Sequence, residues 1–261
     1  MLRFCCLGSG SCGNAFVVEA SDGEISIQVL IDDGFSPREL ERRLARAGVD
    51  VGALGAILVT HEHSDHAGGV AAFARRRQLS VYATEGTAGA AGFDQRVRRL
   101  HRIRAGIEVQ IGPLQVIPIE VPHDASEPVQ FIFSDGHRRL AILTDLGHPA
   151  PAVTATLSGL DALVLEFNYD LDMLRQGPYP ASLKARIESD VGHLSNAQSL
   201  QLLKAIDRSR LKQVVAAHLS QTNNRPHLAR EALTSVGMPA QVECDLADQT
   251  LGLDWKVVAR A

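Results

Sequence analysis

Cysteine is scarce in this sequence. The chain has 261 residues and four thiols, Cys5, Cys6, Cys12 and Cys244, with no CxxC spacing. That argues against a disulfide framework and reads as reduced cysteines of a cytosolic protein. Cys5 and Cys6 are neighbours and should point to opposite sides of a strand. No stretch approaches the roughly 18 continuous apolar residues that a membrane helix needs, so no membrane span is expected. The first ten residues, MLRFCCLGSG, lack a basic region followed by a long apolar run, so no signal peptide is expected. An excess of basic charge is also lacking. The net charge is −4, so the molecule as a whole does not attract nucleic acid or acidic membranes, and an anionic substrate must be drawn by a local field. Linkers rich in Pro, Gly or Ser are missing too, and residues 1–261 are expected to form one domain. Aromatic residues make up only 5%, which leaves Tyr169 and Tyr179 as thin candidates for stacking on bases.

Apolar, β-branched runs are abundant: LRFCCLG, NAFVVEA, ISIQVLID, GAILVTH, LSVYAT, LQVIPIEVPH, VQFIFSDG, RRLAILTD, DALVLEFN and LKQVVAAHLS. They read as strands, with a hairpin turn in SDGHRR at 134–139. Helical patterns lie between them. Ser36-Pro37-Arg38-Glu39 is a capping box with proline at the first helical position, and Gly48 ends that helix. Another helix begins near Ser195 and a third follows Pro226. Strands followed by helices mixed with strands, in each half, suggest an α/β protein. The expected architecture is an αββα sandwich, two central mixed sheets with helices on the outer faces.

THEHSDHAGG, residues 60–69, crowds donors into one turn. His61 and His63 share a side of an extended chain and can grip one ion. Asp65 and His66 follow where a helix begins and can face a second. HEHSD is not HExxH, because residue 65 is aspartate and no helix carries two histidines one turn apart. Further ligands are expected at strand ends: His123 in IEVPHDA, Asp145 in LAILTDLG and His218 in VVAAHLS. One ion then takes His61, His63 and His123, the other Asp65, His66 and His218, with Asp145 bridging; a strand-end cap is the alternative for Asp145. Such donors suit zinc, manganese or iron, with the harder ligands favouring manganese. Two cations about 3.5–4 Å apart can share a hydroxide and clamp a phosphoryl or acyl group.

His193, just before a helix N-terminus in VGHLSNAQ, is a candidate proton donor to a leaving oxygen; capping is the alternative. His101 and His137 sit in arginine-rich stretches and need no function, and His148 and His227 are ambiguous. GSGSCGN, residues 8–14, is either an anion nest that adds Ser9, Ser11 and Asn14, or a tight turn. Lys184 and Arg186 are candidate phosphate contacts, or a solvated helix face. The basic run RVRRLHRIR, residues 96–104, can track a phosphate backbone or be plain surface. Asp32 is expected behind a ligand imidazole, orienting it. Glu166 and Asn168 end a strand near the same edge and either position substrate or satisfy the loop.

Asp32 in VLIDDG, the HxHxDH at 61–66, His123, Asp145 and His218 together resemble the metallo-β-lactamase fold superfamily. LGSGSCGNAF, VPHDASEPV, LEFNYDLDML, GPYPASLKARI, GHLSN and AHLSQTNN resemble its YycJ/WalJ-like (VicX) branch over nearly the full length. Cys12 departs from the serine expected in GSGSSGN. The pairing of GHLSN with AHLS is also similar to the histidine motifs of transfer-RNA 3′-processing enzymes. The resemblance implies a bacterial cytoplasmic, metal-dependent DNA exonuclease that digests duplex DNA from 5′ to 3′. It implies two divalent ions, Zn2+ or Mn2+; no β-CASP insertion is expected, because 261 residues are too few to hold one. Asp65, Asp145 and His193 then act in catalysis, with Ser9, Ser11, Asn14, Asn168, Lys184 and Arg186 holding phosphate. Two alternatives stay open: a small-molecule hydrolase such as a thioesterase or cyclic phosphodiesterase, and a non-catalytic metal-binding regulatory protein. The second expects a broken ligand set, and none of the seven positions is broken.

Overall fold

Two sheets of seven strands face each other in a computed structural model that describes residues 1–260. The strands are β1 (Leu2–Gly8), β2 (Ala15–Ser21), β3 (Ser26–Ile31), β4 (Leu54–Leu58), β5 (Ser80–Ala83), β6 (Leu100–Arg102), β7 (Val109–Ile111), β8 (Leu114–Glu120), β9 (Val129–Ser134), β10 (Arg139–Leu143), β11 (Ala162–Glu166), β12 (Gln213–Ala217), β13 (Glu243–Leu246) and β14 (Leu253–Val257). The helices are α1 (Pro37–Arg46), α2 (Ser64–Ala67), α3 (Val70–Arg77), α4 (Glu85–Ala90), α5 (Phe93–Arg96), α6 (Pro151–Thr156), α7 (Leu171–Gln176), α8 (Ala181–Ile187), α9 (Asn196–Ala205) and α10 (Pro226–Ser235).

The first sheet runs β14-β1-β2-β3-β4-β5-β6 and the second β13-β12-β11-β10-β9-β8-β7. In each sheet one half is antiparallel and the other parallel: β3-β4-β5-β6 in the first, β10-β11-β12-β13 in the second. Parallel neighbours require crossovers, which places α1, α3, α6 and α9 between consecutive strands. The carboxyl ends of parallel strands collect at one edge of a sheet, where α/β proteins place their sites.

Alternation along the strands builds the layers. Phe4, Phe16, Val18 and Ile31 of the first sheet meet Phe131, Phe133, Ile142 and Val164 of the second in the central core. The opposite faces pack under helices. Leu7, Val17, Leu30 and Ile57 lie against Leu40, Leu44 and Phe73; Leu143, Leu163 and Val214 lie against Val153, Leu202 and Leu233. Cys6 falls in the central layer and Cys5 in the outer one, so the two thiols do point apart. The four-layer αββα order is the expected one. Ser36 caps α1 by accepting from the Glu39 amide, although the Glu39 carboxylate turns to Arg42 and Arg43 and does not close the box. Ser195 and Gln198 do close one at the start of α9. The hairpin at 134–139 pairs Ser134 with Arg139. Among the described residues, no helix is long and apolar enough to cross a membrane.

Candidate metal centre

Strand ends supply the site. Thr60 and His61 follow β4, with His63, Asp65 and His66 in the turn and first helical residues of α2. Asp32 follows β3, His123 follows β8, and Asp145, Glu166 and His218 stand at or just past the ends of β10, β11 and β12. Asp32 and His218 have left-handed backbones, with φ of +58° and +53°. Non-glycine residues pay of order 1–3 kcal/mol for such conformations, which persist where surrounding structure imposes them, often at functional sites. Gly34 is equally constrained: a Cβ there would lie 1.8 Å from the Asp65 carbonyl oxygen, so only glycine lets the two backbones approach.

Ring nitrogens of His61, His63 and His123 converge. His63 Nδ1 lies 3.0 Å from His61 Nε2 and 3.4 Å from His123 Nε2. Their outer atoms are occupied. Thr60 donates its hydroxyl proton to Asp32, so His61 Nδ1 must donate to Thr60 Oγ1, 2.9 Å away. His123 Nδ1 donates to the Gly192 carbonyl at 3.0 Å. Both Nε2 lone pairs therefore aim inward. Asp65, His66 and His218 form a second set beside the first. His66 Nδ1 donates to Asp32 Oδ2 at 2.8 Å, again turning Nε2 inward. Asp145 spans the sets, with Oδ2 3.0 Å from His66 Nε2 and Oδ1 3.7 Å from His123 Nε2.

Asp145 Oδ2 and His218 Nε2 are buried without a hydrogen-bond partner among the described residues. Leaving such atoms unpaired costs about 1–3 kcal/mol each, more for a charge. Inward lone pairs, an unpaired carboxylate oxygen and an unpaired ring nitrogen at one point fit divalent cations. Burial opposes charge on Asp145, His218 and His66, yet without a cation their mutual attraction wins: both imidazoles are raised above the ordinary histidine value and hold Asp145 well below the carboxylate range, a positive charge that a bound cation would replace. Burial also keeps His61 well below the usual histidine value and therefore neutral.

Glu166 is fully buried and receives four donors. Oε1 accepts from His193 Nδ1 at 2.7 Å and faces His218 Nδ1 at 3.3 Å. Oε2 accepts from the amides of Leu146 and Leu194. The carboxylate thus aims both imidazoles. Burial disfavours charge on His193, but Glu166 outweighs it and raises the pKa above the ordinary value.

A cleft of about 250 Å³ opens over the centre. Ser11, Asn168, Arg186 and His193 line it, although Asn168 is largely buried and its Nδ2 donates to the His218 carbonyl at 3.0 Å. Three expected contacts do not reach it freely. Ser9 and Asn14 are buried: Ser9 Oγ donates to Asn14 Oδ1 and accepts from the His218 amide, while Asn14 Nδ2 lies 3.0 Å from His66 Nε2. They brace ligands, and the glycine loop is a packed turn with no open anion nest at these two side chains. Lys184 turns away, its Nζ donating to the Arg175 carbonyl at the end of α7. Tyr169 is buried and has no face for a base, whereas Tyr179 lines the cleft. The basic run at 96–104 holds the edge strand β6, and its Arg102 is paired with Glu85 and Asp94. His148 Nδ1 donates to the Asp190 carbonyl. Asp124, not singled out from the sequence, sits with Oδ1 3.6 Å from His123 Nε2 and Oδ2 accepting from Arg186 Nε. Its only sequence signal is adjacency to a ligand in VPHDA.

Residues 28–219 match the family model described as the beta-lactamase superfamily domain. Exodeoxyribonuclease YycJ of Bacillus anthracis is 36% identical over 242 residues, covering 90% of this chain and 89% of that protein. Exodeoxyribonuclease WalJ of Streptococcus pneumoniae serotype 2 is 33% identical over 260 residues, covering 98% and 93%. Among solved structures, the metallo-β-lactamase fold protein YhfI of Bacillus subtilis superposes with a TM-score of 0.74 at 14% identity, over 98% of this chain and 100% of that one.

Proposed function

The chain belongs to the metallo-β-lactamase superfamily, and from that premise we propose that it is a metal-dependent nuclease acting on DNA, a 5′-to-3′ exonuclease on duplex ends in the cytoplasm. The observation that carries this is the pair of adjoining donor sets joined by Asp145, with a carboxylate-aimed histidine beside them. The naming of the relatives as exodeoxyribonucleases supports DNA as substrate.

His61, His63 and His123 would hold one divalent ion, Asp65, His66 and His218 a second, with Asp145 between them; zinc and manganese both suit the donors. Bound there, such ions acidify water toward neutrality and offset charge that develops on a phosphoryl oxygen. Asp32 and Glu166 take the Nδ1 sides of His66 and His218 and so turn their Nε2 atoms toward the donor set. His193 keeps its Nδ1 on Glu166, which leaves Nε2 to donate a proton to the leaving oxygen. Arg186, Asn168 and Ser11 meet the flanking phosphate. The small cleft favours a small-molecule phosphodiester as the second reading.

The test is digestion of end-labelled linear duplex DNA carrying a 5′-phosphate, with Mn2+, by wild type and Asp145→Ala. Release by wild type alone is expected, and the product ladder gives polarity. No release from wild type that holds two ions per chain would overturn the DNA assignment in favour of a small ester.

A further inference from the structure

The wall of the cleft facing the metal ligands comes from one short stretch. Tyr179, in the turn before α8, and Leu183, Arg186 and Ile187 of α8 line it. This arm is keyed to the site. The His193 amide donates to the Ile187 carbonyl at 3.0 Å. A Cβ on Gly192 would lie 2.3 Å from the Arg186 and Ile187 carbonyl oxygens, so backbone rests on backbone beside His193. Within the arm, Lys184 Nζ holds the Arg175 carbonyl, and Arg175 pairs with Glu188 at 3.1 Å.

Arg186 is 60% exposed at the rim, yet its Nε is committed to Asp124 Oδ2. Its two Nη groups have no partner among the described residues. A guanidinium anchored through Nε presents those Nη groups as a fork for a phosphate. Asp124 in turn follows the ligand His123 directly, its amide donates to the Val191 carbonyl at 2.9 Å, and Oδ1 lies 3.6 Å from His123 Nε2 and 3.8 Å from His63 Nε2. The anchored fork therefore has a defined position relative to the metal ligands. The space left is small. A cleft of about 250 Å³ lies just below the roughly 300–1,000 Å³ usual for ligand pockets, room inside for one nucleotide-sized group and not for a base pair.

We infer that Asp124, Arg186 and the apolar wall of Tyr179, Leu183 and Ile187 form a clamp for one unpaired nucleotide at the end of a DNA strand, a specificity built on the nuclease function proposed above. Arg186 meets the phosphate flanking the scissile one. The wall takes the sugar and base, with Tyr179 offering its ring. Asp124 acts as a positioning residue through Arg186. A paired end must fray before it enters, so unpairing precedes cleavage.

The test uses labelled duplexes that differ only in a matched or mismatched terminal pair, with wild type, Arg186→Ala, Arg186→Lys, Asp124→Asn and the double variant Asp124→Asn/Arg186→Ala. Wild type should release the mismatched terminal nucleotide at least fivefold faster than the matched one. Arg186→Ala should lose at least tenfold in kcat/KM, mostly through KM, and Arg186→Lys should recover only part. The double variant should lose no more than Arg186→Ala alone, because Asp124 works through Arg186. Metal content should hold at the wild-type value throughout. Equal rates on both ends, or losses that multiply in the double variant, would overturn the clamp and leave the nuclease function standing. No digestion of any DNA by metal-loaded wild type would remove both.

Discussion

Replacing Glu166 by glutamine changes one atom and isolates the carboxylate's work. Four donors converge on it: His193 Nδ1 and His218 Nδ1 on one oxygen, the amides of Leu146 and Leu194 on the other. A glutamine accepts on one side only and presents N–H on the other. If its oxygen stays with the amides, two imidazole N–H groups face an NH2; if it turns, two buried backbone N–H groups lose their acceptor. Either way two donors are stranded. At about 1–3 kcal/mol for each buried unsatisfied group, the loss is roughly 2–6 kcal/mol. For a chain of this size that lowers Tm by at least about 4 °C. Because His218 loses the partner that turns Nε2 inward, metal affinity should fall about 10–100-fold. Calorimetric unfolding of the metal-free protein reads the first effect and metal titration the second. A Glu166→Gln variant that melts within a degree of wild type and binds metal equally well would refute the four-donor account.

Three other outcomes are expected. His193→Ala should keep its metal but slow turnover about 10²–10⁴-fold, checked by metal analysis beside single-turnover digestion; loss of metal would show that His193 holds an ion and does not move a proton. Gly34→Ala should push the Asp65 backbone out of place, costing about 1–3 kcal/mol of stability in urea and weakening metal binding, because its Cβ has no room against the Asp65 carbonyl. Alkylation of the native protein at pH 8 should mark Cys12, which is exposed, and spare Cys5 and Cys6; burial pushes the Cys5 thiol up to about 12 and raises Cys6 further. Mass spectrometry of the labelled peptides reads this directly, and rapid labelling of Cys5 or Cys6 would contradict the packing of β1.

Much of the centre is local chemistry and was legible as such. Four donor side chains within six residues, between a buried strand and a helix, have few uses other than holding metal. His123, Asp145 and His218 stood out because each ends an apolar run, where a polar side chain needs a reason. The same periodicity that marked the strands also told which side each of Cys5 and Cys6 faces. What the linear order does not contain is which strand ends become neighbours. Glu166 matters because β11 lies between β10 and β12, so its carboxylate falls between Asp145 and His218; in sequence it is only one more strand end. Lys184 and Arg186 are two residues apart, about 200° around a helix, and only the docking of α8 decides that Arg186 looks into the cleft while Lys184 turns back to α7. Ser9 and Asn14 read as open loop donors until the loop is seen buried against His66 and His218. Composition and short-range pattern determined the layers and the ligand types, because these depend on periods of two and 3.6 residues and on side-chain chemistry. Which groups are buried, which tautomer each imidazole holds and which arginine meets substrate depend on contacts between residues tens to hundreds of positions apart, and only the tertiary structure decided those.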